Sequence, residues 1–185
     1  MKKKVETKSK LSQNPNRQER YTPAEYVPLI RRVLGEIELD PASCAEANKV
    51  IQAKNYYSIA EDGLTRPWFG NVYLNPPYNN MRKWVDKLLV EFNGKTINQV
   101  ILLSNPSTDT SWFTWLCSRY NRTTSVFCCV EGRIEFPCPD KTLTVNQPRS
   151  PSMFTYLGDN KTLFHDVFSS VGQIIKPVFW PSELS

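Results

Sequence analysis

Histidine and paired cysteines are scarce in this sequence. The single histidine, His165, follows two apolar residues and is expected to be a packing or surface residue, which argues against triad chemistry. The five cysteines form no Cys-x-x-Cys pair and leave an odd count, so a structural zinc site is not indicated. We predict no metal, and buried thiols in a reducing cytoplasm, for Cys44, Cys117, Cys128, Cys129 and Cys138.

Long apolar runs are also missing. No stretch approaches the roughly 18 apolar residues of a membrane span, and the lysine-rich start is not followed by the apolar segment of a signal peptide. We therefore expect no membrane partner and a cytoplasmic location. With 185 residues and 40% apolar content, residues 21–185 are predicted to form a single domain.

The positive charge is confined to the start of the chain. Residues 1–20 contain seven Lys or Arg and two Glu, which accounts for the whole formal net charge of +5. This segment is expected to be a disordered basic tail. Lys2, Lys3 and Lys4 could add salt-sensitive affinity for nucleic acid phosphates, and a purely solubilising tail is the alternative.

The tetrapeptide Asn75-Pro76-Pro77-Tyr78 carries the clearest chemistry. A planar exocyclic amine is a weak nucleophile because its lone pair is delocalised into the ring. The Asn75 side-chain oxygen and the Pro76 carbonyl can accept both of its N–H bonds and turn the lone pair towards a methyl donor. The prolines make the turn rigid, and Tyr78 offers a ring face to a base taken out of its stack.

The flanking sequence places this tetrapeptide between a strand and a helix. The apolar run 72–74 precedes it, and apolar residues recur at helical spacing from Met81 to Phe92. A strand–loop–helix unit puts the tetrapeptide at the carboxyl edge of a sheet, where α/β proteins bind ligands. A proline-rich turn with Tyr78 as packing is the alternative.

A second strand–turn–helix unit surrounds Asp40-Pro41-Ala42-Ser43. Residues 37–39 predict a strand, and Ser43 with Glu46 predicts a capping box for the following helix. The helix end could bind a carboxylate, and Asp40 could bind an ammonium group. Thr22 with Glu25 predicts another capping box, at the start of the first helix.

The order of the remaining elements predicts the fold class. Strands and helices alternate through residue 130 and then give way to strands at 132–136, 153–157 and 178–180. This order indicates an α/β, doubly wound, Rossmann-like sheet with an antiparallel edge. Residues 137–152 form a polar, proline-rich segment that is a candidate target-recognition loop.

Four motifs occur in a familiar order. Thr22-Pro23, Asp40-Pro41-Ala42-Ser43, Asp62-Gly63-Leu64 and Asn75-Pro76-Pro77-Tyr78 together resemble the small phage- and plasmid-borne, Dam-type DNA N6-adenine methyltransferases, over roughly residues 20–157. The resemblance implies S-adenosyl-L-methionine (AdoMet) as cofactor and DNA as partner. It also implies a mobile-element or restriction–modification setting, base flipping and direct in-line displacement.

The same resemblance implies roles for individual residues. The catalytic set is Asn75, Pro76, Pro77 and Tyr78, and the cofactor-binding set is Thr22, Asp40, Pro41, Ala42, Ser43 and Asp62. The chain departs from the family at two points. The cofactor loop lacks the usual glycines, and the acidic partner of the AdoMet ribose is undecided between Glu46 and Glu61.

Alternatives remain for the substrate and for the DNA contacts. The tetrapeptide also suits methylation of cytosine N4, an RNA base or a protein glutamine, and an inactive DNA-binding remnant is the non-enzymatic alternative. Arg133 and Arg149 are weak candidates for contacts with phosphates or base edges, with surface roles as the alternative. The oligomeric state is not predicted.

Overall fold

The computed structural model describes residues 20–118, 121, 123–137 and 150–178, and elements alternate along these ranges. The strands are β1 Leu39–Asp40, β2 Asn55–Tyr56, β3 Gly70–Leu74, β4 Ile97–Ser104, β5 Val126–Val130, β6 Met153–Leu157 and β7 Gly172–Ile175. The helices are α1 Val27–Leu34, α2 Ala45–Ile51, α3 Met81–Asn93, α4 Ser111–Leu116 and α5 Lys161–Phe168.

All seven strands belong to one sheet, in the order β2-β1-β3-β4-β6-β5-β7. Strands β2, β1, β3 and β4 pair in parallel with one another in that order, while β6 lies between β4 and β5 and is antiparallel to both. Strand β7 pairs antiparallel with β5 at the edge. The predicted α/β doubly wound sheet with an antiparallel edge is confirmed, and a second antiparallel strand, β6, lies inside the sheet.

Helices cover both faces of the sheet because its strands alternate apolar side chains between the two faces. Tyr73, Ile101 and Phe154 point to one face, where they pack with residues of α1 and α5. Val72 and Leu102 point to the other, where they pack with residues of α3 and α4. Both faces of the central strands are therefore buried, which explains their continuous apolar sequences.

The carboxyl ends of β1 and β3 meet at the same edge of the sheet. These strands pair in parallel through Leu39 and Val72, so the chain leaves both at the same level. Asp40 ends β1, and Asn75 directly follows β3. Both predicted motifs are consequently brought to one edge by strand pairing alone.

The two predicted capping boxes are wrong. A 3₁₀ turn, Ala24–Tyr26, precedes α1, its N-cap is Pro23, and no side chain caps it. The N-cap of α2 is Cys44, whose Sγ accepts a hydrogen bond from the Ala47 amide at 3.4 Å. Glu46 does not reach back to the cap, because its carboxylate pairs with the Lys49 ammonium at 2.5 Å.

The predictions for the carboxyl-terminal part were less accurate. Strand 153–157 is confirmed, but residues 132–136 form no strand, and Gly132 bends the chain with a φ of 75°. Helix α5 and strand β7 were not predicted. Val178 lies outside any strand, and the other residues of the predicted last strand lie outside the described residues, as do residues 138–149 of the predicted recognition loop.

Phe164→Ala is expected to destabilise the fold by about 3–5 kcal/mol, because it removes a fully buried ring. The Phe164 ring stacks on Tyr156 and Phe168, at centroid distances of 5.3 and 4.5 Å. Urea denaturation measures the loss. Thr162→Ala, at an exposed position of the same helix, is the control and should change stability by no more than about 0.5 kcal/mol. Equal losses in both variants would show that α5 does not pack as described.

Candidate active site

A cavity of about 330 Å³ opens at the edge of the sheet where β1 and β3 end. Its wall combines the chain segment 20–22, the loop between β1 and α2, residues 57–59 and 62–63, and the tetrapeptide after β3. All ten residues predicted as catalytic or cofactor-binding belong to this wall: Thr22, Asp40, Pro41, Ala42, Ser43, Asp62, Asn75, Pro76, Pro77 and Tyr78. The structure thus brings together four motifs that are up to 56 residues apart in sequence, and their individual roles stay predictions.

Two acceptors from the segment before α1 fix the side-chain amide of Asn75. Its Nδ2 donates to the carbonyl oxygen of Arg20 at 2.7 Å and to Thr22 Oγ1 at 3.1 Å. A carbonyl oxygen can only accept, so the amide nitrogen rather than its oxygen must face Arg20. Both N–H bonds of Asn75 are used inside the protein, and Oδ1 is the atom left to accept a hydrogen bond from a ligand.

The hydroxyl of Thr22 also binds Tyr73, the residue of β3 that points to the same face as Asn75. The distance from Thr22 Oγ1 to the Tyr73 hydroxyl is 2.6 Å, and both side chains are buried. Burial raises the pKa of Tyr73 well above its ordinary value, so this phenol stays neutral. A neutral hydrogen-bond chain therefore runs from the core of the sheet through Thr22 to Asn75.

The ring of Tyr78 is covered on one face by Arg20. The guanidinium carbon lies 5.1 Å from the centroid of the Tyr78 ring and 5.6 Å from that of Phe136, within cation–π range of both. Burial raises the pKa of Tyr78 to about 12, with the Arg20 charge opposing the shift. Among the described residues, neither the Tyr78 hydroxyl nor Arg20 Nη1 has a hydrogen-bond partner, although both atoms are buried.

Asp40 is a buried carboxyl group in the cavity wall. Only 3% of the residue is exposed, and this burial raises its pKa to about 7, although the Ala42 N–H bond to Oδ1 at 3.2 Å acts in the opposite direction. A carboxyl in this state gains a strong partner when a cation binds beside it. The neighbouring Ser43 side chain also lowers this pKa, although its buried Oγ makes no hydrogen bond of good geometry among the described residues.

Gly63 holds the loop that carries Asp62 against the turn after β1. A Cβ on Gly63 would lie 1.9 Å from the Pro41 carbonyl oxygen, so only glycine permits this approach. The indole N–H of Trp68 donates to the Gly63 carbonyl at 2.7 Å from the core side. Asp62 has a left-handed φ of 53°, its Oδ1 accepts from the Leu64 amide at 3.2 Å, and it remains exposed at the cavity rim.

Neither candidate for the ribose-binding acid lies in the cavity wall. Glu46 pairs with Lys49 on the outside of α2, and the Glu61 carboxylate accepts from the Ser58 amide at 2.7 Å and from its hydroxyl. The wall after β2 is formed instead by Tyr57, Ser58 and Ile59. Ile59 is 93% exposed, which is unusual for an isoleucine beside a cavity.

Several wall residues were not predicted from the sequence. They are Arg20, Tyr21, Cys44, Ala47, Ile51, Tyr57, Ser58, Ile59, Gly63 and Trp84. The apolar residues among them fit ordinary helix or loop patterns, so no sequence signal separates them from the core. Two of these wall residues carried a signal: Arg20 is the one basic residue next to the Thr22-Pro23 motif, and Gly63 belongs to the Asp62-Gly63-Leu64 motif.

Of the five residues predicted to contact DNA, only Arg133 lies within the described ranges. Arg133 is exposed and does not belong to the cavity wall, while Arg149, Lys2, Lys3 and Lys4 lie outside the described residues. Within the described ranges, no helix is long and apolar enough to cross a membrane. The same residues contain no group of three or more histidine, cysteine or acidic side chains that could bind a metal.

The chain is similar to known proteins in sequence and in fold. The model of the family described as DNA N-6-adenine-methyltransferase (Dam) matches residues 8–171, and no curated protein matches significantly. A candidate RNA methyltransferase from Pyrococcus horikoshii superposes with a TM-score of 0.48 at 14% identity, covering 80% of this chain and 90% of its own.

Two further solved structures score lower. A dimethyladenosine transferase from Plasmodium falciparum has a TM-score of 0.44 and 11% identity, with coverage of 79% of this chain and 64% of its own. The 23S rRNA methyltransferase ErmE has a TM-score of 0.44 and 12% identity, with coverage of 76% and 69%. These scores are too low for substrates or site residues to be carried over.

Asp40→Asn is expected to stabilise the ligand-free protein, and more so at pH 8 than at pH 5. The pKa of Asp40 is raised to about 7 in the fold, above its value in the unfolded chain, so the stability of the wild type falls as pH rises from about 4 to 7. An Asn side chain at this position cannot ionise, so the stability of the variant does not fall with pH in this way. Its advantage should grow by about 2–3 kcal/mol between the two pH values, measured by urea denaturation.

The control for this prediction is Asp109→Asn, which changes an exposed carboxyl group in the loop after β4. Its effect on stability should be small and the same at both pH values. An Asp40→Asn variant that is less stable than the wild type at pH 8 would show that the buried carboxylate is stabilised rather than penalised by its surroundings.

Proposed function

The chain belongs to the DNA N-6-adenine-methyltransferase (Dam) family, and from this membership we propose that it transfers the methyl group of AdoMet to the N6 amino group of adenine in DNA. The observation that carries the proposal is the shared cavity. One wall presents the anchored amide of Asn75, and another presents the buried carboxyl of Asp40. An amine acceptor and a cation acceptor thus line the same cavity.

The cavity residues fit AdoMet by charge and by size. The volume of about 330 Å³ lies within the range typical of small-molecule sites. Asp40 would accept the ammonium of the methionine moiety, Ser43 Oγ would gain a polar partner, and Asp62 at the rim would accept the amino group of the adenine moiety. When bound, the cofactor supplies an electrophilic methyl group on a sulfonium sulfur.

Asn75 and Pro76 would position the amino group of the target base. Asn75 Oδ1 accepts one N–H of the amine, and the Pro76 carbonyl accepts the other. Because Nδ2 of Asn75 is bound by Arg20 and Thr22, the amide cannot turn its donor side towards the substrate without breaking two hydrogen bonds. Fixed acceptors orient the lone pair, and positioning of this kind supplies a large part of an enzyme's rate.

The part of the chain that the structure describes places no strong base around Asn75. The pKa of Tyr78 is raised to about 12, so its phenol is neutral at physiological pH and cannot take a proton from the amine. We assign Tyr78 to stacking, and the surplus proton leaves to water after the methyl group has moved. The arrangement suits a single displacement with no covalent enzyme intermediate.

Stacking on the covered face of Tyr78 requires the Arg20 guanidinium to move. The guanidinium carbon lies over this ring at 5.1 Å from its centroid, so an entering base and the Arg20 side chain compete for one surface. The long arginine side chain can rotate outward and bind a phosphate of the same strand. Base flipping costs a few kcal/mol, and a phosphate contact of this kind offsets part of it.

The first experiment measures methyl transfer from labelled AdoMet to unmethylated DNA, with the nucleosides resolved by mass. We expect N6-methyladenine with the wild type and a loss of about 100-fold or more with Asn75→Ala, because one of the two amine acceptors is removed. Asn93→Ala, at an exposed position near the end of α3, is the matched control and should retain activity.

Other outcomes of this assay correct the proposal in different ways. Methyl transfer to cytosine, RNA or protein glutamine would move the substrate and keep the role of Asn75. Wild-type protein that neither transfers methyl groups nor binds AdoMet in calorimetry would overturn the enzymatic function and favour an inactive DNA-binding protein.

Gly63→Ala is expected to weaken AdoMet binding by about tenfold or more, since a Cβ at this position forces the loop carrying Asp62 away from Pro41. Gly94→Ala at the end of α3 is the control and should bind AdoMet as the wild type does. Isothermal titration calorimetry measures both affinities. Unchanged binding in a folded Gly63→Ala variant would separate this loop from the cofactor site.

A further inference from the structure

The segment before α1 enters the active site and binds the side chain that the proposed chemistry depends on. Arg20 contributes its backbone carbonyl and Thr22 its hydroxyl, and both accept hydrogen bonds from the same nitrogen, Nδ2 of Asn75. Thr22 lies 53 residues from Asn75 in sequence. A contact of this range is not a by-product of local chain geometry.

We propose that Thr22 is a positioning residue, which together with Tyr73 holds the amide of Asn75 in the orientation that presents Oδ1 to the substrate amine. This assignment rests on the proposed function and deepens it. It also differs from the role that the sequence indicated, which was cofactor binding and helix capping.

The hydrogen bonds of Thr22 favour positioning over cofactor binding. A threonine hydroxyl has one donor and two acceptor sites, and two of these three are already used by Asn75 and Tyr73. The residue is only 5% exposed, so little of it is accessible to a ligand. No helix N–H binds its side chain either, because the N-cap of the following turn is Pro23.

Tyr73 makes the position of Thr22 rigid. It belongs to the central strand β3 and is fully buried in the cluster that includes residues of α1. By strand alternation, it points to the same face as Asn75 two residues later. The 2.6 Å bond between the two hydroxyls ties Thr22 to this strand. The amide that follows the strand is thus held from within the core rather than by a surface loop.

Removal of the Thr22 hydroxyl should therefore affect the rate of methyl transfer rather than the binding of either substrate. Thr22→Val keeps the shape of the side chain and leaves one N–H of Asn75 without its partner, so we expect kcat to fall by about 10–100-fold. KM for DNA and the calorimetric Kd of AdoMet should stay within about threefold of wild type. Thr22→Ser keeps the hydroxyl and should restore most of kcat.

Two further variants complete the experiment. Tyr73→Phe removes the second hydroxyl and should lower kcat by about 3–10-fold, with AdoMet binding unchanged. Thr114→Val makes the same chemical change at an exposed site on α4, where the hydroxyl bonds the Thr110 carbonyl, and should match the wild type. Thermal denaturation shows whether each variant is folded at the assay temperature.

Three results would overturn this assignment. A Thr22→Val variant with a weakened Kd for AdoMet and a normal kcat would make Thr22 a cofactor ligand. Equal losses in the Val and Ser variants would reduce its role to packing. Wild-type kcat in both Thr22→Val and Tyr73→Phe would show that neither hydroxyl matters to the reaction.

A second measurement needs no substrate and so separates this inference from the proposed function. The side-chain amide protons of Asn75, assigned by their loss from the spectrum of Asn75→Ala, should exchange slowly with water in the wild type. They should exchange at least about tenfold faster in Thr22→Val. Unchanged exchange in that variant would overturn the inference even if methyl transfer to DNA were established.

Discussion

Parallel pairing of β1 and β3 is the constraint on which the site depends. Leu39 of β1 pairs with Val72 of β3, which brings the carboxyl ends of both strands to one edge of the sheet. Asp40 and Asn75 lie at these two ends. No loop has to be long for this to happen, and Gly63 allows the intervening loop to close tightly over Pro41. The cavity is thus a product of backbone hydrogen bonding in the sheet, to which the side chains add charge and hydrogen-bonding groups.

The sequence predicted the parallel half of the fold better than the antiparallel half. Around Asn75, local signals agreed, since an apolar strand, a rigid turn and an amphipathic helix follow each other without a gap. Strand β7 gave no such signal, because residues 172–175 are short, only half apolar and stabilised by pairing with β5. Residues 132–136 alternate like a strand, but Ile134 and Phe136 pack into the core from an irregular segment.

The same contrast holds for the site. Residues within a motif could be located from the sequence, since Asp40 ends a strand and Asn75 directly follows one. Thr22 could be assigned to the site from its motif, but the role of its hydroxyl could not be predicted. Its hydrogen-bond partners, Tyr73 and Asn75, are set by tertiary packing. The two capping boxes failed for a related reason. The Thr22 hydroxyl binds Tyr73 and Asn75 instead of a helix N–H, and the Glu46 carboxylate binds Lys49. A sequence pattern does not show which of two competing hydrogen bonds forms.

Arg20 takes part in the site twice, through its backbone and through its side chain. The carbonyl accepts a hydrogen bond from Asn75, while the guanidinium lies over the rings of Tyr78 and Phe136. The rotatable bonds of a long side chain separate these two groups, so the guanidinium can leave the rings of Tyr78 and Phe136 while the carbonyl stays in place. An arginine at position 20 can therefore uncover the Tyr78 ring while the side-chain amide of Asn75 stays fixed. A short or β-branched residue at this position would have no mobile group that could make way for a base.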